Sequence, residues 1–384
     1  MTAEEILSKL VSFPVLGGES NTSIISWIKE YIESYRVETT LVPNEAGTKA
    51  SLHCRIGPPQ DGGVILSGHT DVVPVEGQEW TSDPFELIDK GDGKLYARGS
   101  CDMKGFIACC LAALPDMVKA KLKRPIYFAF SYDEEIGCLA APELAAAIND
   151  HYKEKPAFAI IGEPSMMVPT VGQKGICIFE TTVTGSEGHS SRIKTEVSAI
   201  HEAMRLVLWL EDKMNSLIAA KKTDDRFTPN HTSIHVGIMK GGIASNVIAQ
   251  SCYFTWDVRT IPSETPNEIL EEFEAYCEER KAVLRKTFPG FEIKTNPIHP
   301  AVPGLDTSED EEIVSLVKDL AQNDTIDAVS YAAEAGQFQE AGFQAMICGP
   351  GDIAQAHRAD EFISKEQLEK GVHFMHRLIE KLSI

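Results

Sequence analysis

The sequence predicts an α/β protein: a larger domain with a mixed or parallel sheet flanked by helices, and an inserted ferredoxin-like α+β domain. Three observations predict it. Up to about residue 174, apolar strand-like runs alternate with amphipathic helical stretches, as a layered α/β domain requires. Near Gly175 the rhythm changes to β-α-β-β-α-β, the order of a split ferredoxin-like motif. The α/β rhythm then resumes. The expected division is therefore 1–174 with 295–384 for the larger, discontinuous domain, and 175–294 for the insert.

The elements follow in order. Ile6, Leu7, Leu10 and Val11 recur at helical spacing and predict an amphipathic N-terminal helix. Helices are expected near 20–34, 104–118 and 139–150, and strands near 50–56, 63–68, 94–97, 125–131 and 157–161. In the insert, ICIFETTVTG reads as a strand and VSAIHEAMRLVLWLEDKM as a long helix. HTSIHVGIM and NVIAQSCYFTWDVRT are two further strands, ETPNEILEEFEAYCEERKAVLRK a second helix, and GFEIKTN the last strand. A helix near 309–322, the strand QAMICG and a closing helix at 364–381 complete the chain.

The 384 residues carry a formal net charge of −21, which argues against nucleic acid or an anionic membrane as a partner. MTAEEILSKLVSF lacks the basic start and continuous apolar core of a signal peptide, and no apolar run is long enough to span a bilayer. The nine cysteines form no C-x-x-C pair, and several, such as Cys109, Cys110, Cys177 and Cys348, lie in apolar runs. They are expected to be reduced core residues of a cytoplasmic protein.

Acids and histidines punctuate the apolar runs. His69 and Asp71 close GVILSGHTD, Asp102 lies in ARGSCDMKG, and Asp133, Glu134 and Glu135 close IYFAFSYDEE. Glu163 closes AFAIIGEP, and His357 follows AMICGPGDIAQAH. Ionised groups beside buried strands are costly unless paired or bound to a cation, and a pair of divalent ions satisfies all of them at once. In open α/β sheets, sites form beyond the carboxyl ends of strands, where these residues fall. In His-x-Asp, Asp71 can accept the second ring N–H of His69, or hold it through a short turn, the orientation a metal-ligating imidazole needs. Asp102, just before a helix, is free to bridge two cations about 3.5–4 Å apart. Of the adjacent pair, Glu135 can ligate while Glu134 serves as general base to water and then as acid to a leaving amine.

Read singly, each residue has an ordinary alternative. Asp102 could cap the helix that begins near Met103, and His69 could be a satisfied buried histidine. It is their joint order and flanking motifs that favour a two-metal site. SGHTDVVP, ARGSCDMKG, SYDEEIGC, IIGEP, GSEGHSS, DVRTIP and GPGDIAQAHRADE together resemble the co-catalytic zinc deacylases and peptidases. That family includes acetylornithine deacetylase, succinyl-diaminopimelate desuccinylase, aminoacylase and glutamate carboxypeptidase. The resemblance covers nearly the whole chain, and SYDEEIGC is most similar to the acetylornithine deacetylases.

The resemblance implies one metal held by His69, Asp102 and Glu163, and a second held by Asp102, Glu135 and His357. Asp71 would orient His69, and Glu134 would be the base. The ions would be zinc, with cobalt or manganese also suited to N/O ligands. It implies that the insert is a lid and dimerisation domain in a homodimer. His189 of GSEGHSS would stabilise the tetrahedral oxyanion, often from the partner subunit. Arg259 of DVRTIP would grip the substrate carboxylate through its bidentate fork, and Asn246 would contact substrate. Glu334, in YAAEAGQFQEAGF, is placed near the substrate, where its carboxylate could meet a side-chain ammonium. Gln173, in VPTVGQKG, departs from the histidine common in deacetylase relatives.

The implied activity is hydrolysis of a small N-acyl amino acid, with N-acetyl-L-ornithine, an intermediate of arginine biosynthesis, as the first expectation. A desuccinylase or general aminoacylase uses the same ligand set and differs only in pocket residues. The rival outside the class is a non-catalytic metal-binding scaffold, which would have no use for Glu134 beside a full ligand set.

Overall fold

The computed structural model describes residues 1–384. The chain divides into two compact units: Met1–Gly172 with Leu305–Ala328 and Ala333–Ile384, and Gln173–Gly304 with Val329–Ala332. The second unit thus reaches ten residues beyond the expected limit of 294 and takes in a short later segment that carries no helix or strand period of its own.

The first unit is built on a nine-stranded mixed sheet. Four central strands lie side by side and parallel, in the order Ile126–Ser131, Val64–His69, Phe158–Pro164 and Gln344–Gly349. Nearly every residue of these strands is buried, which explains why the sequence shows continuous apolar runs there rather than alternation. Ala50–Ile56 pairs antiparallel with the Ile126 strand, and Thr39–Pro43 pairs antiparallel outside it. The sequence reading missed Thr39–Pro43 because an exposed edge strand carries no strong apolar signal. The expected strand at 94–97 forms as Lys94–Tyr96, but in a separate three-stranded sheet.

Helix Lys104–Lys119 buries almost its whole length against the sheet. It approaches so closely at Gly162 that a Cβ there would lie 2.0 Å from the Phe106 ring. This close approach is what places Asp102, just before the helix, over the strand ends. Helix Ala3–Val11 begins with a Thr2–Glu5 capping box and buries Ile6, Leu7, Leu10 and Val11, as its spacing predicts.

The second unit is a four-stranded antiparallel sheet in the order Ser233–Gly241, Ser251–Thr260, Gly175–Thr184 and Glu292–Pro297. Burial alternates strictly along Gly175–Thr184 and Ser251–Thr260, so one face packs and one faces outward. Helices Ala199–Ala219 and Pro266–Leu284 cover the packed face around Phe179, Phe254, Trp256 and Phe273. All nine cysteines are free and buried. No helix is long and apolar enough to cross a membrane.

Candidate metal centre

The parallel strands deliver their carboxyl ends to one place. His69 is the last residue of its strand and 1% exposed, and Glu163 is the penultimate residue of the next. Glu134 and Glu135 follow the Ile126 strand by a short turn, and His357 follows the Gln344 strand by a longer loop. Asp102 ends the loop before helix Lys104–Lys119, and its peptide bond to Met103 is cis.

Asp102 stands between the histidines. Its Oδ1 lies 3.1 Å from His69 Nε2, and its Oδ2 lies 3.4 Å from His357 Nε2. His357 Nε2 is also 2.9 Å from Glu135 Oε2. His69 Nε2 is 3.9 Å from Glu163 Oε1 and 4.0 Å from Glu134 Oε2. Glu163 Oε1 is buried without a hydrogen-bond partner. Two groups of side chains, His69 with Asp102 and Glu135, and His69 with Glu134 and Glu163, each bring ligand atoms within 4.8 Å of one another. His357 joins the first group through Asp102 and Glu135, at the distances just given.

Asp71 holds the His69 ring through its main chain rather than its carboxylate. Nδ1 meets the Asp71 main-chain carbonyl at 2.9 Å, while the nearest carboxylate oxygen is 3.6 Å away. The carboxylate instead accepts the main-chain N–H groups of Glu134 and Glu135, each at 3.2 Å. Asp71 therefore holds both the histidine and the turn that carries the two glutamates.

The electrostatics are those of crowded, desolvated acids. Burial pushes Glu134 well above the usual carboxyl range, and its neighbours Glu135 and Asp102 add to this. Burial, then Asp102, raises Glu135 to about 7. Burial, with Asp102 and Glu134, raises Glu163 well above its usual value. Burial also opposes ionisation of Asp102, but hydrogen bonds from His357 and His69 outweigh it and hold the carboxylate low. Burial alone would lower His69, yet Asp102 and Asp71 drive it well above its ordinary value. Hydrogen bonds with Asp102 and Glu135 push His357 to about 10.

Glu334 sits at the start of helix Ala335–Glu340 and is 1% exposed. Its Oε2 accepts from Ser67 Oγ at 3.4 Å, its Oε1 has no hydrogen-bond partner, and burial raises its carboxyl to about 7. The other expected site residues belong to the second unit. His189 pairs in register with Val247, and the Ser190 N–H donates to the carbonyl of the exposed Asn246. His189 Nδ1 lies 2.8 Å from Ser191 Oγ and 3.3 Å from the Ser191 main-chain nitrogen. Arg259 Nε lies 3.3 Å from Asp257 Oδ2.

Several contributors carry weaker sequence signals. Cys138 Sγ donates to Glu134 Oε1 at 3.3 Å, leaving Oε2 toward His69. Asp133 turns away to pair with Lys49 and the Gly18 N–H, at a positive φ of 57°. Lys104 is wholly buried and donates to the Phe13 carbonyl. Glu361 and Arg98 form a buried ion pair at 2.8 Å beside Asp102. The available signal was a charged residue inside a motif already singled out: Glu361 in HRADE, Arg98 in ARGSCD, Lys104 in CDMKG.

With this geometry in place, comparison with known proteins defines the class. Residues 65–381 match the model of peptidase family M20/M25/M40, and the chain belongs to this family of hydrolases. It is 33% identical to an acetylornithine deacetylase of Myxococcus xanthus, covering 94% of this chain and 92% of that protein. It is 31% identical to an acetylornithine deacetylase of Proteus mirabilis, covering 99% and 96%. Among solved structures it resembles the M20 family metallo-carboxypeptidase Sso-CP2 of Sulfolobus solfataricus, with a TM-score of 0.76 at 18% identity, covering 100% and 99%.

Proposed function

We propose that this chain is a two-metal amidohydrolase that releases acetate and L-ornithine from N-acetyl-L-ornithine. The observation that carries the two-metal reading is Asp102, which offers one carboxylate oxygen beside each of two histidines. The donor set fits divalent ions of the zinc type, being imidazole nitrogen and carboxylate oxygen throughout. The orphaned, buried Glu163 Oε1 is an acceptor that such an ion would satisfy.

His69, Asp102 and Glu163 would hold one ion, and Asp102, Glu135 and His357 the other. Bound there, the ions would supply Lewis-acid polarisation of the acyl carbonyl and acidify water. Glu134 takes a proton from the attacking water and returns it to the leaving amine. Its Cys138 hydrogen bond and the Asp71 hold on its main chain keep it in place. His189 is assigned to the developing oxyanion, and Arg259 and Asn246 to the amino-acid portion of the substrate. Glu334 Oε1 lacks a donor, and a buried carboxylate oxygen in that state favours a cation such as the ornithine ammonium. Likeness to the two named deacetylases supports this substrate over others of the family. A homodimer through the second unit, in the cytoplasm, belongs to the same proposal.

The test is amine release by the zinc-loaded chain from N-acetyl-L-ornithine, run beside N-succinyl-diaminopimelate and N-acetyl-L-methionine at matched concentration. Preference for acetylornithine is expected. Preference for another substrate overturns the pocket assignment and keeps the metal centre; turnover of no acyl amide overturns the enzyme reading.

A further inference from the structure

We propose that Glu361 is a positioning residue, clamping the Asp102 loop to the His357 loop and thereby setting the affinity of the ion those two residues share. The inference rests on the two-metal reading above.

Glu361 is 1% exposed and spends both oxygens on one loop. Its Oε1 accepts the N–H groups of Cys101 at 2.9 Å and Asp102 at 3.1 Å. Its Oε2 accepts the Gly99 N–H at 3.0 Å and Arg98 Nη1 at 2.8 Å. Arg98 is itself 1% exposed, and its guanidinium returns to the other loop through the Arg358 carbonyl at 3.3 Å. Its Nη2 donates to Gln78 Oε1 at 2.6 Å, and Gln78 Nε2 donates to the His357 carbonyl at 2.8 Å. The Trp80 ring lies over the guanidinium, 5.1 Å away.

This network matters because the His357 ring meets only Glu135 and Asp102, the two residues that would share its ion. Its side chain is 57% exposed, and its φ of 61° lies in the left-handed region. A main-chain hold must therefore aim the ring. His69 differs: it ends a buried strand and is fixed by the Asp71 carbonyl. Loss of the clamp should thus disturb two ligands of the ion at Asp102, Glu135 and His357, but only one of the ion at His69, Asp102 and Glu163. A carboxylate is required because all four donors point at Glu361; an amide would turn an NH2 group toward two of them.

Metal-free full-length wild type, Glu361→Gln and Gln78→Ala are titrated with cobalt(II), read by its visible absorption and by calorimetry. Partners of metal ligands are typically worth about 10–100-fold in affinity. Glu361→Gln should weaken one cobalt site by that order and the other by distinctly less, with altered absorption at the weakened site. An equal fall at both sites, or none, overturns the proposal. If Glu361→Gln does not fold, Gln78→Ala decides, since it frees the His357 carbonyl and one Arg98 nitrogen while keeping the Glu361 carboxylate. Selective weakening of one ion then supports the clamp, and unchanged affinities overturn it. Wild type binding fewer than two cobalt ions overturns the two-metal reading, and the clamp with it.

Discussion

Glu134 and Glu135 are adjacent in sequence yet differ in surroundings, and that difference divides their roles. Glu135 meets His357 at 2.9 Å, whereas Glu134 splits its oxygens between the Cys138 thiol and the side facing His69. Glu134→Gln keeps the shape and removes the base. Turnover should fall by about 10²–10⁴-fold with cobalt stoichiometry unchanged; retained turnover would exclude Glu134 as the proton carrier. Glu334 gives a separate prediction at this scale. Its carboxylate is desolvated and half unpartnered, so Glu334→Ala should lose more on N-acetyl-L-ornithine than on N-acetyl-L-methionine. An equal loss on both would show that Glu334 only supports the fold.

Among the elements, helix Lys104–Lys119 and the Glu163 strand are locked together at Gly162. A methyl group there meets the Phe106 ring at 2.0 Å, a distance that forces helix or strand to move. Overpacking of this kind typically costs about 1–3 kcal/mol, and here it displaces the elements that carry Asp102 and Glu163. Gly162→Ala should lower the melting temperature and weaken metal binding, and Phe106→Leu in the same chain should recover part of both. Recovery of neither would show that Phe106 is not the obstacle. The four parallel strands also account for the legibility of the site. His69 and Glu163 stand at the ends of two of these buried strands, Glu134 and Glu135 follow a third after a few residues, and His357 follows the fourth by a longer loop.

For the whole molecule, the consequence of the cluster is a stability that falls with pH when no metal is bound. Glu135 and Glu334 titrate at about 7 in the folded chain, against a usual 4.5. Between those values the folded state holds more protons than the unfolded state, so stability decreases as pH rises through that window. Glu134 and Glu163, raised well above their usual values, act in the same direction. Asp102, held low, is ionised in both states there and adds no slope. Metal-free protein should therefore melt at lower temperature at pH 7.5 than at pH 5. Divalent ions replace those protons and should flatten the profile, binding more tightly as pH rises. A flat metal-free profile would mean that the carboxylates are relieved by something other than protons.

The sequence by itself determined the layered α/β class, the split β-α-β-β-α-β pattern and the residues now gathered in the first unit around Asp102. It could do so because periodicity and the ends of apolar runs are local properties of a chain. Only the tertiary structure decided that Asp71 reaches His69 through its carbonyl, that Asp133 turns away toward Lys49, and that Thr39–Pro43 extends the sheet. It alone joined Glu361 to the N–H groups of residues about 260 positions earlier. Such contacts depend on loop geometry and on partners far apart in the chain, and a buried hydrogen bond between two loops leaves no period in either.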